Sequence, residues 1–243
     1  MHTTLNYSPN FDTKKRKLKD IKFIVFHYTG MKNEKKSFTK LTNICSKVSS
    51  HYFIRNNGEV VTLVPNLYVA WHAGVSRWKK YKSLNQFSIG IEISNPGHNF
   101  TYKKFSKKQI IAIIKLSRFL IKKYKIKKQN FLGHSDIALD RKIDPGEKFP
   151  WKYLSKKKIG LWHNLNYQKL LNERRVSTNN LEKIKFIKNL NKLGYSKNYK
   201  IKKNTYVKLL TSAFQRRFRQ ELVNGMIDQE CLSISKNLLN NLE

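Results

Sequence analysis

Apolar residues in this chain fall into two periods. The run Ile21-Lys22-Phe23-Ile24-Val25-Phe26 is short, nearly continuous and rich in branched and aromatic side chains, and it predicts a buried strand with His27 at its end, on the rim of a sheet. Ser88-Ile89-Gly90-Ile91-Glu92-Ile93-Ser94 alternates isoleucine with small or polar residues, the pattern of a half-buried strand that puts Glu92 on one face with Gly90 and Ser88. Between Phe105 and Tyr124 the period lengthens: Ile110, Ile113, Ile114 and Leu120 predict an amphipathic helix lying on that sheet, with Ser106 as N-cap. Beyond a polar stretch from Asn172 to Asn180 the pattern becomes wholly helical. Ile184, Ile187, Leu190 and Leu193 precede Gly194, a C-cap residue. Val207, Leu210, Phe214 and Phe218 mark a second helix, and a third begins near Asp228 to bury Leu232 with Leu238 or Leu239.

These periods give an α/β class and an organisation: a loosely ordered arm over 1–20, a first domain over 21–171, a linker over 172–180, and a small three-helix bundle over 181–243. The bundle is near the lower size limit for independent stability.

Residues that carry chemistry concentrate in the first domain. Gly133-His134-Ser135-Asp136 is followed closely by Lys142-Ile143-Asp144-Pro145-Gly146, so an imidazole, an amine and a carboxylate fall within a dozen residues. On an extended segment Lys142 and Asp144 project from the same side. With His27 they make a candidate zinc hydrolase centre: His27, His134 and Asp144 are acceptable ligands, and three protein ligands leave a fourth position for water. Glu92 suits the role of general base beside the metal, and Lys142 that of oxyanion support. Taken singly, each has a plainer reading. His27 alone is a rim histidine, Glu92 a salt-bridge partner, and Lys142 one lysine among many. Asp136 caps the turn or helix that follows it. His51 and His72 read as supporting or packing residues rather than ligands, and His2, His98 and His163 have no motif around them.

The motifs Ile24-Val25-Phe26-His27-Tyr28-Thr29, Val48-Ser49-Ser50-His51-Tyr52, Ala70-Trp71-His72-Ala73-Gly74, Ser88-Ile89-Gly90-Ile91-Glu92, Gly133-His134 and Lys142-Ile143-Asp144-Pro145-Gly146 stand in order across residues 20–165. In that order they resemble the zinc-dependent type 2 N-acetylmuramoyl-L-alanine amidases, relatives of the peptidoglycan recognition proteins. The resemblance implies a mixed central β-sheet flanked by helices. It implies one Zn²⁺ ion on His27, His134 and Asp144, with Glu92 as base and Lys142 supporting the transition state. The implied reaction cleaves the amide between N-acetylmuramic acid and the L-alanine that begins the stem peptide. Trp71, His72 and Asn85 are expected to contact this peptidoglycan or muropeptide substrate. Lys47 falls where members favouring the anhydro sugar have a basic contact, whereas Ser83 replaces a second, arginine contact. A noncatalytic peptidoglycan recognition protein on the same fold is the alternative. In the bundle, Ala213-Phe214-Gln215-Arg216-Arg217-Phe218 and Asn224-Gly225-Met226-Ile227-Asp228 resemble the three-helix peptidoglycan-binding module of cell-wall hydrolases, with a purely stabilising helical cap as the alternative.

Charge adds one partner class. The 50 basic against 15 acidic residues, net +35, would attract any polyanion. The excess is mostly lysine spread over both domains, without a nucleic-acid-binding motif, so no specific nucleic acid is expected and anionic envelope polymers are candidate partners. Cys45 and Cys231 lie in different domains, which excludes a disulfide framework. No run approaches the roughly 18–20 apolar residues of a membrane span, and no secretory apolar core stands at the N-terminus. The wall-binding resemblance favours an envelope location over cytoplasmic muropeptide recycling.

Overall fold

A computed structural model describes residues 3–196 and 202–242; His2 lies outside them. The central sheet is six-stranded and mixed. In chain order its strands are β1 (Thr4–Leu5), β2 (Phe23–Tyr28), β3 (Tyr52–Ile54), β4 (Val60–Thr62), β5 (Ser88–Ile93) and β6 (Phe131–Gly133). Across the sheet they run β1-β4-β3-β5-β2-β6, and only the β3–β4 hairpin is antiparallel.

β2 is apolar on both faces because it feeds two cores. Ile24 and Phe26 pack with Ile113, Leu116 and Leu120 of α2 (Lys107–Tyr124) and with Trp151 of α4 (Trp151–Lys156). Phe23 and Val25 point the other way, into a core completed by the C-terminal helices. His27 continues the Phe23–Val25 face, since alternate residues of a strand share a side. α2 starts as its sequence requires: the Ser106 side chain takes the Gln109 N–H while Gln109 returns a bond to the Ser106 N–H. α1 (Glu34–Thr42) covers the outer part of the sheet, where Leu41 packs with Phe53. No helix among the described residues is long and apolar enough to cross a membrane.

After β6 come α3 (His134–Ile137), α4, and α5 (Tyr167–Glu173), followed by the bundle of α6 (Asn180–Leu193), α7 (Lys203–Phe218) and α8 (Gln229–Asn240). Gly194 closes α6 at φ 133°, and the Asp228 side chain caps α8 on the Cys231 N–H. These helices do not form a core of their own. Leu190, Tyr195, Phe214 and Leu238 share one core with Phe23, Val25, Trp78 and Leu132. The stretch 172–180 is a structured connection: it ends α5, pairs Ser177 with Asp228, and caps α6 through Asn179.

The arm is also ordered, contrary to its composition. Thr4–Leu5 adds a parallel edge to β4, and Phe11–Asp12 pairs with Val69–Ala70. Arg16, only 8% exposed, donates to the carbonyls of Asn66, Asn85, Gln86 and Ser88. Polar and backbone bonds anchor this segment, and such bonds leave no apolar period for a sequence to display. The cysteines are free, Cys45 exposed and Cys231 buried.

Candidate metal centre and active site

Parallel pairing sets the frame. β2 lies between β5 and β6 with His27 opposite Glu92 and Phe26 opposite Gly133, so the chain leaving β6 delivers His134 beside His27. The two rings meet edge to face, centroids 4.4 Å apart. The loop after α3 returns over them, tied down by the Ser135 N–H donating to the Asp144 carbonyl at 2.8 Å. Lys142 and Asp144 sit in this irregular loop rather than on the extended segment expected, yet both reach the same groove.

His27 Nδ1, His134 Nδ1 and Asp144 Oδ2 form a triangle with sides of 2.9, 3.1 and 3.1 Å. Donors about 2.0–2.1 Å from a tetrahedral ion stand roughly 3.3 Å apart, so a shift of a few tenths of an ångström would seat one. Among the described residues these three form the cluster able to hold a metal ion. The far side of each imidazole fixes its tautomer. His134 Nε2–H donates to the Ala73 carbonyl at 3.1 Å, which leaves Nδ1 bare towards the site. His27 Nε2–H donates to His72 Nδ1 at 3.0 Å, and His72 Nε2–H donates to Ser88 Oγ at 3.2 Å. Ser88 in turn donates to the Leu84 carbonyl, and that bond completes the chain and sets its direction.

Charge in the site follows from burial. His27 is pushed down to about 4 by burial and then by His134, against the pull of Asp144, so its imidazole is neutral at physiological pH. Burial raises the Asp144 carboxyl, but the charge and hydrogen bonds of His134, then those of His27, outweigh it when these rings carry a proton towards the carboxylate, a place that a cation would take, and its pKa is lowered. Neutral nitrogen and anionic oxygen are the donor states a divalent cation takes. Glu92 is different: burial, then the charge of Asp144, pushes its carboxyl up to about 8. Its Oε2 is buried without a hydrogen-bond partner.

The groove over this centre encloses about 420 Å³ and is walled by Lys40 of α1, Tyr28, Trp71, Arg141 and Lys142. Trp71 lines it, its indole N–H held by Asp12 of the arm at 2.7 Å. His72 lines it too, with one ring nitrogen engaged by His27 and the other by Ser88. Asn85 is placed behind the groove, its Oδ1 taking the N–H groups of His72 and Ala73. Lys47 is exposed, in a left-handed turn at φ 51°, and outside the groove lining. Groups given no site role in the sequence reading hold the rest: Ser88 and the Ala73 carbonyl orient the histidines, while His51, read there as a supporting or packing residue, is clamped between the Gly90 N–H and Arg16. The alternation that flagged Glu92 could have flagged Ser88, which shares its face; the Ala73 carbonyl has no sequence signal.

Residues 17–147, more than half of the chain, match the family profile described as N-acetylmuramoyl-L-alanine amidase. The chain belongs to this amidase family. It is 35% identical over 231 residues to the N-acetylmuramoyl-L-alanine amidase AmiD of Escherichia coli K12, covering 90% of this chain and 82% of that protein. The solved complex of E. coli AmiD with anhydro-N-acetylmuramic acid-L-Ala-D-γ-Glu-L-Lys superposes with a TM-score of 0.81 at 33% identity, over 91% of this amidase and 90% of that chain. AmpDh3 of Pseudomonas aeruginosa, solved with an anhydromuramic pentapeptide, gives a TM-score of 0.81 at 30% identity over 96% and 97%. At 91% and 96% of this amidase, both superpositions cover far more than the profile match over 17–147.

Proposed function

We propose that this amidase hydrolyses the bond between the lactyl carbonyl of N-acetylmuramic acid and the L-alanine nitrogen with one zinc ion on His27, His134 and Asp144. The observation that carries the reading is the convergence of three donor atoms whose positions and ring orientations suit a cation, with a carboxylate directly across the strand pair that has one oxygen buried without a partner. Zinc bound there supplies Lewis acidity to the scissile carbonyl and the attacking water.

The side chains do the remainder. Glu92 stands across the strand pair from His27; a divalent cation there would draw its raised carboxyl back towards the ionised form, in which it accepts a proton from the attacking water and returns it to the L-alanine nitrogen as the C–N bond breaks. The products are a lactyl carboxylate and a free amino terminus. Lys142 faces the groove from the loop of Asp144, where its ammonium offsets negative charge developing on the carbonyl oxygen. Trp71 supplies a flat wall for the sugar or peptide. The ligands named for the AmiD and AmpDh3 complexes support an anhydro-muramyl peptide as a substrate here.

Mass spectrometry of muropeptides incubated with the protein, with and without a chelator, tests the reading. Chelator-sensitive release of stem peptides beginning at L-alanine, from anhydro and reducing sugars in parallel, is the expected result. Intact muropeptides retained by a zinc-loaded protein would replace catalysis with recognition.

A further inference from the structure

α3 carries His134 on a single turn of four residues, too short to hold a position through its own hydrogen bonds. Its middle residue, Asp136, is 1% exposed, and a buried carboxylate needs a partner. One bond is local, from the Gly133 N–H to Oδ2 at 2.8 Å. The others come from the C-terminal bundle. Arg217 Nη1 donates to Asp136 Oδ2 at 2.6 Å, and the Tyr195 hydroxyl donates to Oδ1 at 2.7 Å. The second guanidinium nitrogen of Arg217 donates to the Phe131 carbonyl at 2.7 Å, so one side chain grips the segment on both sides of His134. Arg217 is itself 3% exposed and packs against the rings of Trp151 and Phe218, while Tyr195 lies edge-on to Trp78. Both gripping residues fall outside 17–147, the span that carries the amidase family signature.

We propose that the C-terminal bundle positions the metal centre: Arg217 and Tyr195 hold Asp136, and through the turn of α3 they fix where His134 presents its Nδ1. This rests on the reading of His27, His134 and Asp144 as zinc ligands. Ligand bonds near 2.0–2.1 Å tolerate little displacement, and loss of groups that orient a ligand typically weakens metal affinity about 10–100-fold. The bundle is then part of the catalytic domain's working structure, whatever else its outer surface binds.

Zinc competition against a chromophoric chelator, on the metal-free 243-residue protein, provides the test, with apo melting temperatures recorded alongside. Arg217→Gln is expected to lose about 10–100-fold in zinc affinity and Tyr195→Phe a few-fold, the latter melting close to the parent. Gln220→Ala is the control: it removes another bond from the bundle to the domain, onto the Phe149 carbonyl, and should bind zinc as the parent does. Parental affinity in both Arg217→Gln and Tyr195→Phe overturns the positioning role. If Arg217→Gln fails to fold, Tyr195→Phe decides in the same way. A parent that takes up no zinc overturns the ligand assignment, and the positioning role with it.

Discussion

Glu92 couples the chemistry of the site to its stability. Replacement by Gln keeps the shape and removes the base, so turnover of muropeptides should fall about 10²–10⁴-fold while zinc stoichiometry stays at the parental value. Loss of zinc along with activity would instead make Glu92 a ligand. In the metal-free protein the same carboxyl is raised from 4.5 to about 8, burial being the main cause. Across that window the folded state keeps a proton that the unfolded chain has released, so Glu92 costs increasing stability as pH rises through it. Gln does not ionise. Metal-free Glu92→Gln should therefore gain in melting temperature on the parent between about pH 5 and about pH 8.5, and an unchanged gap would place the carboxyl in its ordinary range. At this scale the sequence was informative where a residue's type suggests its chemistry, as in His27, Glu92, His134 and Asp144, which the fold brings together. The aiming residues were harder to read: the role of His72 depends on which nitrogen faces His27 and which faces Ser88, and that direction arises only on packing.

Within β5 the alternation Ser88-Ile89-Gly90-Ile91-Glu92 does more than bury isoleucines. The His72 ring lies directly on Gly90: a Cβ there would stand 2.3 Å from the His72 Cγ. Gly90→Ala must push the ring off the strand, and the ring is what receives the His27 Nε2–H. A loss of zinc affinity of about tenfold or more is expected, with a stability cost of about 1–3 kcal/mol for the overpacked site. Zinc titration and thermal melting of the variant check both numbers; parental zinc affinity would show that His27 needs no support from His72. Elements with a strong apolar period were legible: β2, β5, α2 with its Ser106 cap, and the helices around Gly194 and Asp228. The arm was not, because Ser8, Asn10 and Arg16 hold it by burying polar groups against backbone carbonyls rather than by burying apolar side chains. β2 continues through His27 to Tyr28, past the end of its apolar run, because pairing with β5 persists to Ile93.

For the molecule as a whole, the division into a catalytic domain and an appended bundle follows from composition, while the energetics join them. The polar stretch near 172–180 looks like a linker because its residues, Val176 apart, are hydroxylic, charged or amidic, yet Thr178 is buried and donates to the Ile227 carbonyl, and Arg174 is paired with Glu230. Phe23 of β2 and Leu238 of α8 belong to one core, and the Arg217–Asp136 pair is buried across the same boundary. A core shared across the boundary couples the two parts in unfolding, so the metal-free protein should melt in one calorimetric transition whose van't Hoff and calorimetric enthalpies agree. Two resolved transitions would restore the picture of independent domains. Arg217→Ala sharpens the comparison: it strands a buried carboxylate, which costs about 3–5 kcal/mol, and in a coupled molecule that cost lowers the whole transition. In a molecule of independent parts it would lower the melting of the catalytic domain, where Asp136 resides, and leave the bundle's transition in place.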